Sequence, residues 1–367
     1  MNNEIKKIII ATGGTGGHVI PAYNLAKHFV DKNKFKVEIT SDKRGLKYLK
    51  SPNEIKVTEI TSATIFKKNI FKIVYSIIII LYSTLKSLVF LLFSKPNLVF
   101  GMGGYSSFPV CTAAKILRIP FVIYENNLVV GKANKYLVPF AKKIFVSSKE
   151  LDGISKKHEK KVCEIGNILS KEIINYQNKN NSSQEDKRLK ILVLGGSQAA
   201  KIFAEKLTGI FKSCVNAKIP ISICQQCLPE QNKFLSSFYR NLNIDFEIFN
   251  FSSNISEYFS KTNLAITRSG SSMLAELINA NIPFISIPLP SSADNHQLKN
   301  AIYYEKKGYS YLIEEKNLEK KLYELLKTLS DNKKLLDKIT HRQRQFSDKS
   351  VYENIDKQIL KIENEEY

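Results

Sequence analysis

Arginine is scarce in a chain that is otherwise strongly basic: seven of its 55 basic residues are Arg, set against 34 acidic residues and a formal net charge of +21. Such an excess favours an anionic partner, whether nucleic acid, phospholipid head groups or a phosphorylated substrate. Readers of bases and phosphates rely on Arg forks, so a Lys-dominated surplus fits diffuse attraction to a negative surface better than sequence reading. A Lys-, Asn- and Ile-rich coding bias is the competing explanation. Cysteine is also sparse. Cys111, Cys163, Cys214, Cys224 and Cys227 form an odd, scattered set, which excludes a disulfide framework and points to a reducing compartment. The first residues lack the charged-then-apolar pattern of a secretory leader. Cys224-Gln-Gln-Cys227 has the spacing of half a zinc site, but no second Cys or His pair lies nearby, so strand-end packing is expected there and no metal.

Two nucleotide signatures are missing as well. The segment Ile8–Ala22, IIIATGGTGGHVIPA, runs from a strand through glycines into a helix. The dinucleotide fingerprint needs G-x-G-x-x-G, and counted from Gly14 the third glycine falls on Val19. A P-loop fails because no Gly-Lys-Ser/Thr follows.

What is present is a repeated pattern. A chain of 367 residues suits two domains of about 150–200 residues each. Short β-branched runs alternate with helix-like segments, which predicts a parallel sheet with crossover helices. The first set is Lys6–Ala11, Val37–Thr40, Lys56–Ile60, Leu98–Gly101, Phe121–Tyr124 and Lys143–Ser147. After a polar stretch at Asn175–Arg188 the pattern restarts at Lys190–Leu194, Ile219–Cys224, Phe246–Phe249, Leu264–Thr267, Phe284–Ile287 and Tyr311–Ile313. The expected class is α/β: two Rossmann-like, doubly wound domains facing across a cleft. They are placed at 1–165 and 166–335, with a helical tail at 336–367 that packs back on the first.

One membrane-like stretch is internal, Ile70–Phe93. Lys72 and Lys86 interrupt it and leave 13 uncharged residues between them. It reads as one or two helices, part buried and part exposed, dipping into a membrane interface rather than crossing it.

Ligands of open parallel sheets sit beyond the carboxyl ends of strands, and the polar motifs follow strands here. Thr12-Gly13-Gly14-Thr15-Gly16-Gly17 lets backbone N–H groups approach an anion at a helix start. His18 comes next, where an imidazole could take a proton from an attacking hydroxyl or could merely brace the loop. Gly101-Met102-Gly103-Gly104-Tyr105 makes a second close-approach loop. Tyr124-Glu125-Asn126-Asn127 offers a carboxylate, a rival proton acceptor to His18, with two amides for sugar hydroxyls. Gly195-Gly196-Ser197-Gln198 repeats the strand–turn–helix arrangement. Thr267-Arg268-Ser269-Gly270-Ser271 opens a helix with Glu276 on its second turn, suited to a diphosphate at the helix start and a ribose at the carboxylate. Pro288-Leu289-Pro290 leads into Asp294–Ala301, with Gln297 on the open side.

Together these motifs resemble the MurG family of bacterial glycosyltransferases, in order and over about residues 5–330. The resemblance implies the GT-B fold, with an acceptor- and membrane-associating first domain and a second domain binding a UDP-sugar without cofactor or metal. It implies inverting transfer of N-acetylglucosamine from UDP-N-acetylglucosamine to the C4 hydroxyl of undecaprenyl-pyrophosphoryl-N-acetylmuramoyl-pentapeptide, in peptidoglycan synthesis. The enzyme would work peripherally on the cytoplasmic face of the cell membrane, with no nucleic-acid partner. By correspondence, Thr15, Gly16, Gly17, Asn127, Ser197, Ser269, Gly270, Ser271, Glu276 and Gln297 contact the donor. Gly13, Gly14, Gly103, Gly104 and Tyr105 line the acceptor site, and His18 and Glu125 are the catalytic candidates. The family's Gly-Asn-Pro followed by Arg is Gly166-Asn167-Ile168-Leu169-Ser170 here, with Lys171 one residue late, and its His-Glu-Gln-Asn is Tyr124–Asn127. A UDP-sugar 2-epimerase or a non-catalytic nucleotide-sugar-binding protein of the same fold are the alternatives. The epimerase accounts for the donor motifs but not for Ile70–Phe93.

Overall fold

The computed structural model describes residues 6–49, 55–63, 70–176, 186, 188–250, 252 and 254–365, without the side chains of 197–200. Most of the polar stretch read as a linker, 177–185 and 187, lies outside the described residues. The chain divides into two compact units, Met1–Ser170 with Asp348–Tyr367, and Lys171–Ser347.

The first unit is built on seven parallel strands: β1 Lys6–Ala11, β2 Phe35–Ser41, β3 Lys56–Glu59, β4 Leu98–Gly101, β5 Phe121–Glu125, β6 Lys143–Val146 and β7 Val162–Glu164. They lie in the order β3-β2-β1-β4-β5-β6-β7. Ile8, Ile9 and Ile10 are all buried, as a strand covered on both faces requires. Strand β7 escaped the sequence reading because Val-Cys-Glu at the sheet edge is only partly buried and carries no apolar run.

The second unit repeats the plan with β8 Leu189–Leu194, β9 Ile221–Gln226, β10 Phe246–Phe249, β11 Leu264–Thr267, β12 Phe284–Ser286 and β13 Ser310–Leu312. Their order is β10-β9-β8-β11-β12-β13, again all parallel. Its core joins Ile191 and Val193 of β8 to Phe203, Leu207 and Phe211 of the helix Gly196–Asn216 and to Leu322, Leu326 and Leu329 of the helix Leu318–Asp331. Each side chain buried this way contributes about 1.5–3 kcal/mol.

The tail is shared between the units. Helix Lys334–Gln343 stays in the second, where Gln343 Nε2 donates to the carbonyls of Ile282 (2.9 Å) and Tyr309 (2.8 Å). Helix Val351–Asn364 returns to the first: its Tyr352 ring stacks on His28 with centroids 4.4 Å apart, and Asp356 lies 3.1 Å from His28 Nε2. Asp348 accepts from Asn167 N (2.8 Å) and Asn167 Nδ2 (3.1 Å), and the Tyr352 hydroxyl donates to Leu169 O. These bonds hold residues 165–170 within the first unit, so the chain crosses at Ser170/Lys171 and Ser347/Asp348 rather than at 165/166 and 335/336.

The apolar stretch is one helix, Ile70–Ser94, and it is inverted. Ser76, Ser83 and Ser87 are fully buried, whereas Phe71 and Phe93 are 81% and 86% exposed and Tyr75, Ile78, Leu81, Tyr82 and Leu85 also face outward. The small hydroxyl-bearing face lets the helix Ser107–Ile116 pack closely. Two of these hydroxyls are returned to the helix itself, Ser76 to Lys72 O (2.8 Å) and Ser87 to Ser83 O (2.7 Å), while Ser83 Oγ has no hydrogen-bond partner among the described residues. The helix is long and apolar enough to cross a membrane. Strand β3 before it and β4 after it belong to one sheet, however, so crossing would pull a strand out of that sheet.

Candidate active site

In each sheet the strand order reverses once, between β1 and β4 in the first unit and between β8 and β11 in the second. Loops diverge at such a point and leave room for a ligand. The glycine motifs occupy both points.

In the first unit the loops are tied together. Thr15 caps the helix Gly16–Asp31 through its backbone carbonyl, which accepts from His18 N (3.1 Å) and Val19 N (3.2 Å). The exposed Thr15 hydroxyl makes no capping bond. The half-buried His18 ring lies against the loop after β4: a Cβ on Gly103 would sit 3.0 Å from its Cε1 and Nδ1. Gly104, at φ +74°, brings its backbone against Gly13, where a Cβ would meet Gly13 O at 2.9 Å. Only glycine fits that approach. Tyr105 is half-buried in the same turn, and Asn126 Nδ2 donates to Gly17 O at 3.1 Å, joining the loop after β5 to the first.

Glu125 is 3% exposed, and its two oxygens are already occupied. Oε1 accepts from Asn127 N (3.2 Å) and Asn127 Nδ2 (3.0 Å), and Oε2 from Gly131 N (2.8 Å) and Asn134 Nδ2 (3.0 Å). Four N–H donors make this carboxylate a brace for Asn127 and leave it poorly placed to receive a proton.

A second carboxylate, not singled out in the sequence, does similar work. Asp42 follows β2 and its Oδ1 accepts from Gly14 N (2.8 Å) and Gly45 N (3.0 Å). Its Oδ2 accepts from Arg44 Nε (2.8 Å) and Ser62 Oγ (3.2 Å), and Ser62 Oγ in turn lies 3.0 Å from Ser106 Oγ. Burial alone would raise the Asp42 carboxyl, but the Gly14 N–H, the Arg44 guanidinium and the Gly45 N–H hold it below the usual range. The sequence signal was a lone Asp at a strand end with a helical turn behind it.

In the second unit the switch point is open. Gly196, at φ +61°, starts the helix Gly196–Asn216, and a Cβ there would meet nothing within 4 Å. Its N–H donates to Gln226 Oε1 (3.2 Å). The Ser197 side chain lies outside the described residues. Gly270 caps the helix Ser271–Asn279 with equally empty space around it. Ser269 and Ser271 are buried, and Asn300 Nδ2 fixes Ser269 O at 3.1 Å. Gln297 Oε1 accepts from Leu289 N (3.0 Å), which leaves its amide N–H groups directed elsewhere.

Glu276 is half-buried, and no hydrogen bond or ion pair among the described residues reaches its carboxylate. Desolvation pushes it up to about 7. By contrast Arg268 from the same motif is a strut. Its guanidinium donates to Ile287 O (3.2 Å), Pro288 O (3.3 Å) and Glu315 Oε2 (2.6 Å) and lies over the Phe203 ring. The free Cys224 and Cys227 take no part: Cys227 packs in the core and bonds to Asn232.

Comparison with known proteins agrees with this layout. Residues 8–146 match the family model for the glycosyltransferase family 28 N-terminal domain, and residues 190–357 that for the family 28 C-terminal domain. A UDP-N-acetylglucosamine–N-acetylmuramyl-(pentapeptide) pyrophosphoryl-undecaprenol N-acetylglucosamine transferase of Pelagibacter ubique is 35% identical over 363 residues, covering 98% of this chain and 99% of its own. The transferase of the same name from Rickettsia canadensis is 33% identical, covering 92% and 94%. A crystal structure of Acinetobacter baumannii MurG superimposes with a TM-score of 0.76 at 25% identity, over 97% of this chain and 99% of that one. The chain belongs to glycosyltransferase family 28, among the MurG-type N-acetylglucosamine transferases.

Proposed function

We propose that this chain transfers N-acetylglucosamine from UDP-N-acetylglucosamine to the C4 hydroxyl of undecaprenyl-pyrophosphoryl-N-acetylmuramoyl-pentapeptide, with inversion. The C4 oxygen bonds to the anomeric carbon, the bond from that carbon to the diphosphate breaks, and UDP departs with the electron pair. His18 receives the hydroxyl proton. Glu125 positions Asn127 instead of acting as a base.

The observation that carries the donor reading is Glu276. A half-buried, unpartnered carboxylate on the second turn of a helix is costly unless a ligand completes it, and the two hydroxyls of a ribose would do so. The helix starts at Gly196 and Ser271 present their N-terminal ends to the diphosphate, and their dipoles stabilise the charge that builds on departing UDP. Ser197, Ser269, Gly270 and Gln297 complete the donor set. Family correspondence adds Thr15, Gly16, Gly17 and Asn127 to the sugar-nucleotide contacts, and Gly13, Gly14, Gly103, Gly104 and Tyr105 to the acceptor.

The outward apolar face of Ile70–Ser94 supports a peripheral place on a membrane, on the cytoplasmic side where the acceptor's head group is made. Exposed Ile116, Tyr136 and Phe140 sit on or just beyond the next two packed helices, and the net charge of +21 suits anionic lipid. This face also favours a transferase over a soluble 2-epimerase. UDP release measured with UDP-N-acetylglucosamine, with and without the lipid-linked acceptor and with EDTA, tests the reading. Release only with acceptor, unaffected by EDTA, is expected. Conversion of the sugar nucleotide without acceptor would replace the proposal by the epimerase.

A further inference from the structure

Beside the first glycine loop lies a guanidinium that the motif reading did not use. Residues Lys43–Leu46 form a single helical turn behind Asp42. Gly45 lets this turn press backbone to backbone on the loop: a Cβ there would lie 3.1 Å from Gly13 Cα. Arg44 is thereby carried over Gly14, and its Nη2 is the nearest atom, at 3.9 Å, to the place a Gly14 Cβ would take. The guanidinium is tethered by one edge, Nε at 2.8 Å and Nη2 at 2.7 Å from Asp42 Oδ2. Its Nη1 has no partner among the described residues, and the side chain is 61% exposed.

The ion pair by itself does not account for this arrangement. Asp42 is satisfied by Gly14, Gly45 and Ser62 without Arg44, and so exposed a pair adds little to stability. What the tether does achieve is geometric. One carboxylate fixes the loop through Oδ1 and the guanidinium through Oδ2, so the free Nη1 edge is held in register with the loop. Lys43 and Lys47 on the same turn are exposed and add positive charge at its rim.

We propose that Arg44 donates to a phosphoryl oxygen of the acceptor's diphosphate at Gly13 and Gly14, with Asp42 as the residue that positions it. This rests on the assignment of Gly13 and Gly14 to the acceptor. A diphosphate could come from the acceptor or from the donor nucleotide. Arg44 stands over Gly14, which belongs to the acceptor set, and is not among the nearest neighbours of Gly16 or Gly17, which favours the acceptor.

Steady-state kinetics of Arg44→Ala, Arg44→Lys and Gly14→Ala test it, each substrate varied in turn and melting temperature recorded. A lost charge-assisted bond should raise the acceptor KM of Arg44→Ala roughly 10- to 100-fold, with donor KM and kcat little changed. Arg44→Lys should fall between, since it keeps the charge and loses the fork. A raised acceptor KM in Gly14→Ala with none in Arg44→Ala overturns the Arg44 role and leaves the loop assignment standing. No change in either overturns both. A rise confined to the donor KM overturns the choice of acceptor.

Discussion

The two switch points occupy equivalent places in the two sheets yet are finished in opposite ways. Between β1 and β4 the polar groups satisfy one another: Asp42 holds Gly14, Asn126 holds Gly17, Glu125 takes four N–H donors, and His18 is pressed on Gly103. Between β8 and β11, Gly196 and Gly270 face empty space and Glu276 has no partner among the described residues. A prebuilt loop set keeps its shape before the acceptor arrives, which suits a site that must aim a hydroxyl and its base. An incomplete site leaves the energy of closing its polar groups to the nucleotide, and so favours tight, selective donor binding.

The largest test of this contrast is the pair His18→Ala and Glu276→Ala. Loss of a general base lowers turnover by about 10²–10⁴-fold, so His18→Ala should depress kcat with the UDP dissociation constant near its original value. Glu276→Ala should do the reverse, weakening UDP by roughly 10- to 100-fold through lost charge-assisted bonds. Equal effects on both constants in the two variants would erase the division of labour.

Glu276 also sets a pH signature. Its carboxyl is raised to about 7, so the folded unit binds a proton that the unfolded chain has already released. The cost of ionising it in place grows as pH rises from the ordinary carboxylate range to about 7 and reaches about 3 kcal/mol. Without nucleotide, stability should fall across that window, and Glu276→Gln should flatten the profile in calorimetry.

Asp42 shifts the other way. Its carboxyl is held low, so its contribution is fully present above the ordinary aspartate range and is lost as pH falls through the folded value. Asp42→Asn should cost about 1–3 kcal/mol in the first unit, read as a lower melting temperature at neutral pH that converges with the parent in acid. An unchanged melting temperature would mean that the loops hold together without it.

How much of this the sequence disclosed depended on whether the signal was local. Twelve of the strands carry apolar β-branched runs and were found within a residue or two at most ends, while β7, short and at the edge, was not. Glycine loops after strands were readable because strand, glycine and helix start are contiguous. The Asp42–Ser62–Ser106 chain was not, since three single polar residues after different strands meet only in the fold. The inverted helix was half readable. Ser76, Ser83, Ser87 and Leu91, spaced by seven, four and four, mark one stripe, but only packing tells that this stripe faces inward.

The finest probe of the contrast is a methyl group. Gly104 has φ +74° and no room beside Gly13 O, whereas Gly270 has φ −70° and nothing within 4 Å. Gly104→Ala should therefore lower the melting temperature, combining a left-handed backbone penalty of about 1–2 kcal/mol with the clash. Gly270→Ala should leave it near its original value, because the backbone entropy that alanine saves, about 0.4–1 kcal/mol, is offset by its poorer fit at a helix N-cap. Its cost should surface only when donor is titrated, as a methyl in the space the diphosphate would fill. If Gly270→Ala binds UDP as well as the parent does, the emptiness beside that helix start belongs to the surface and not to the nucleotide.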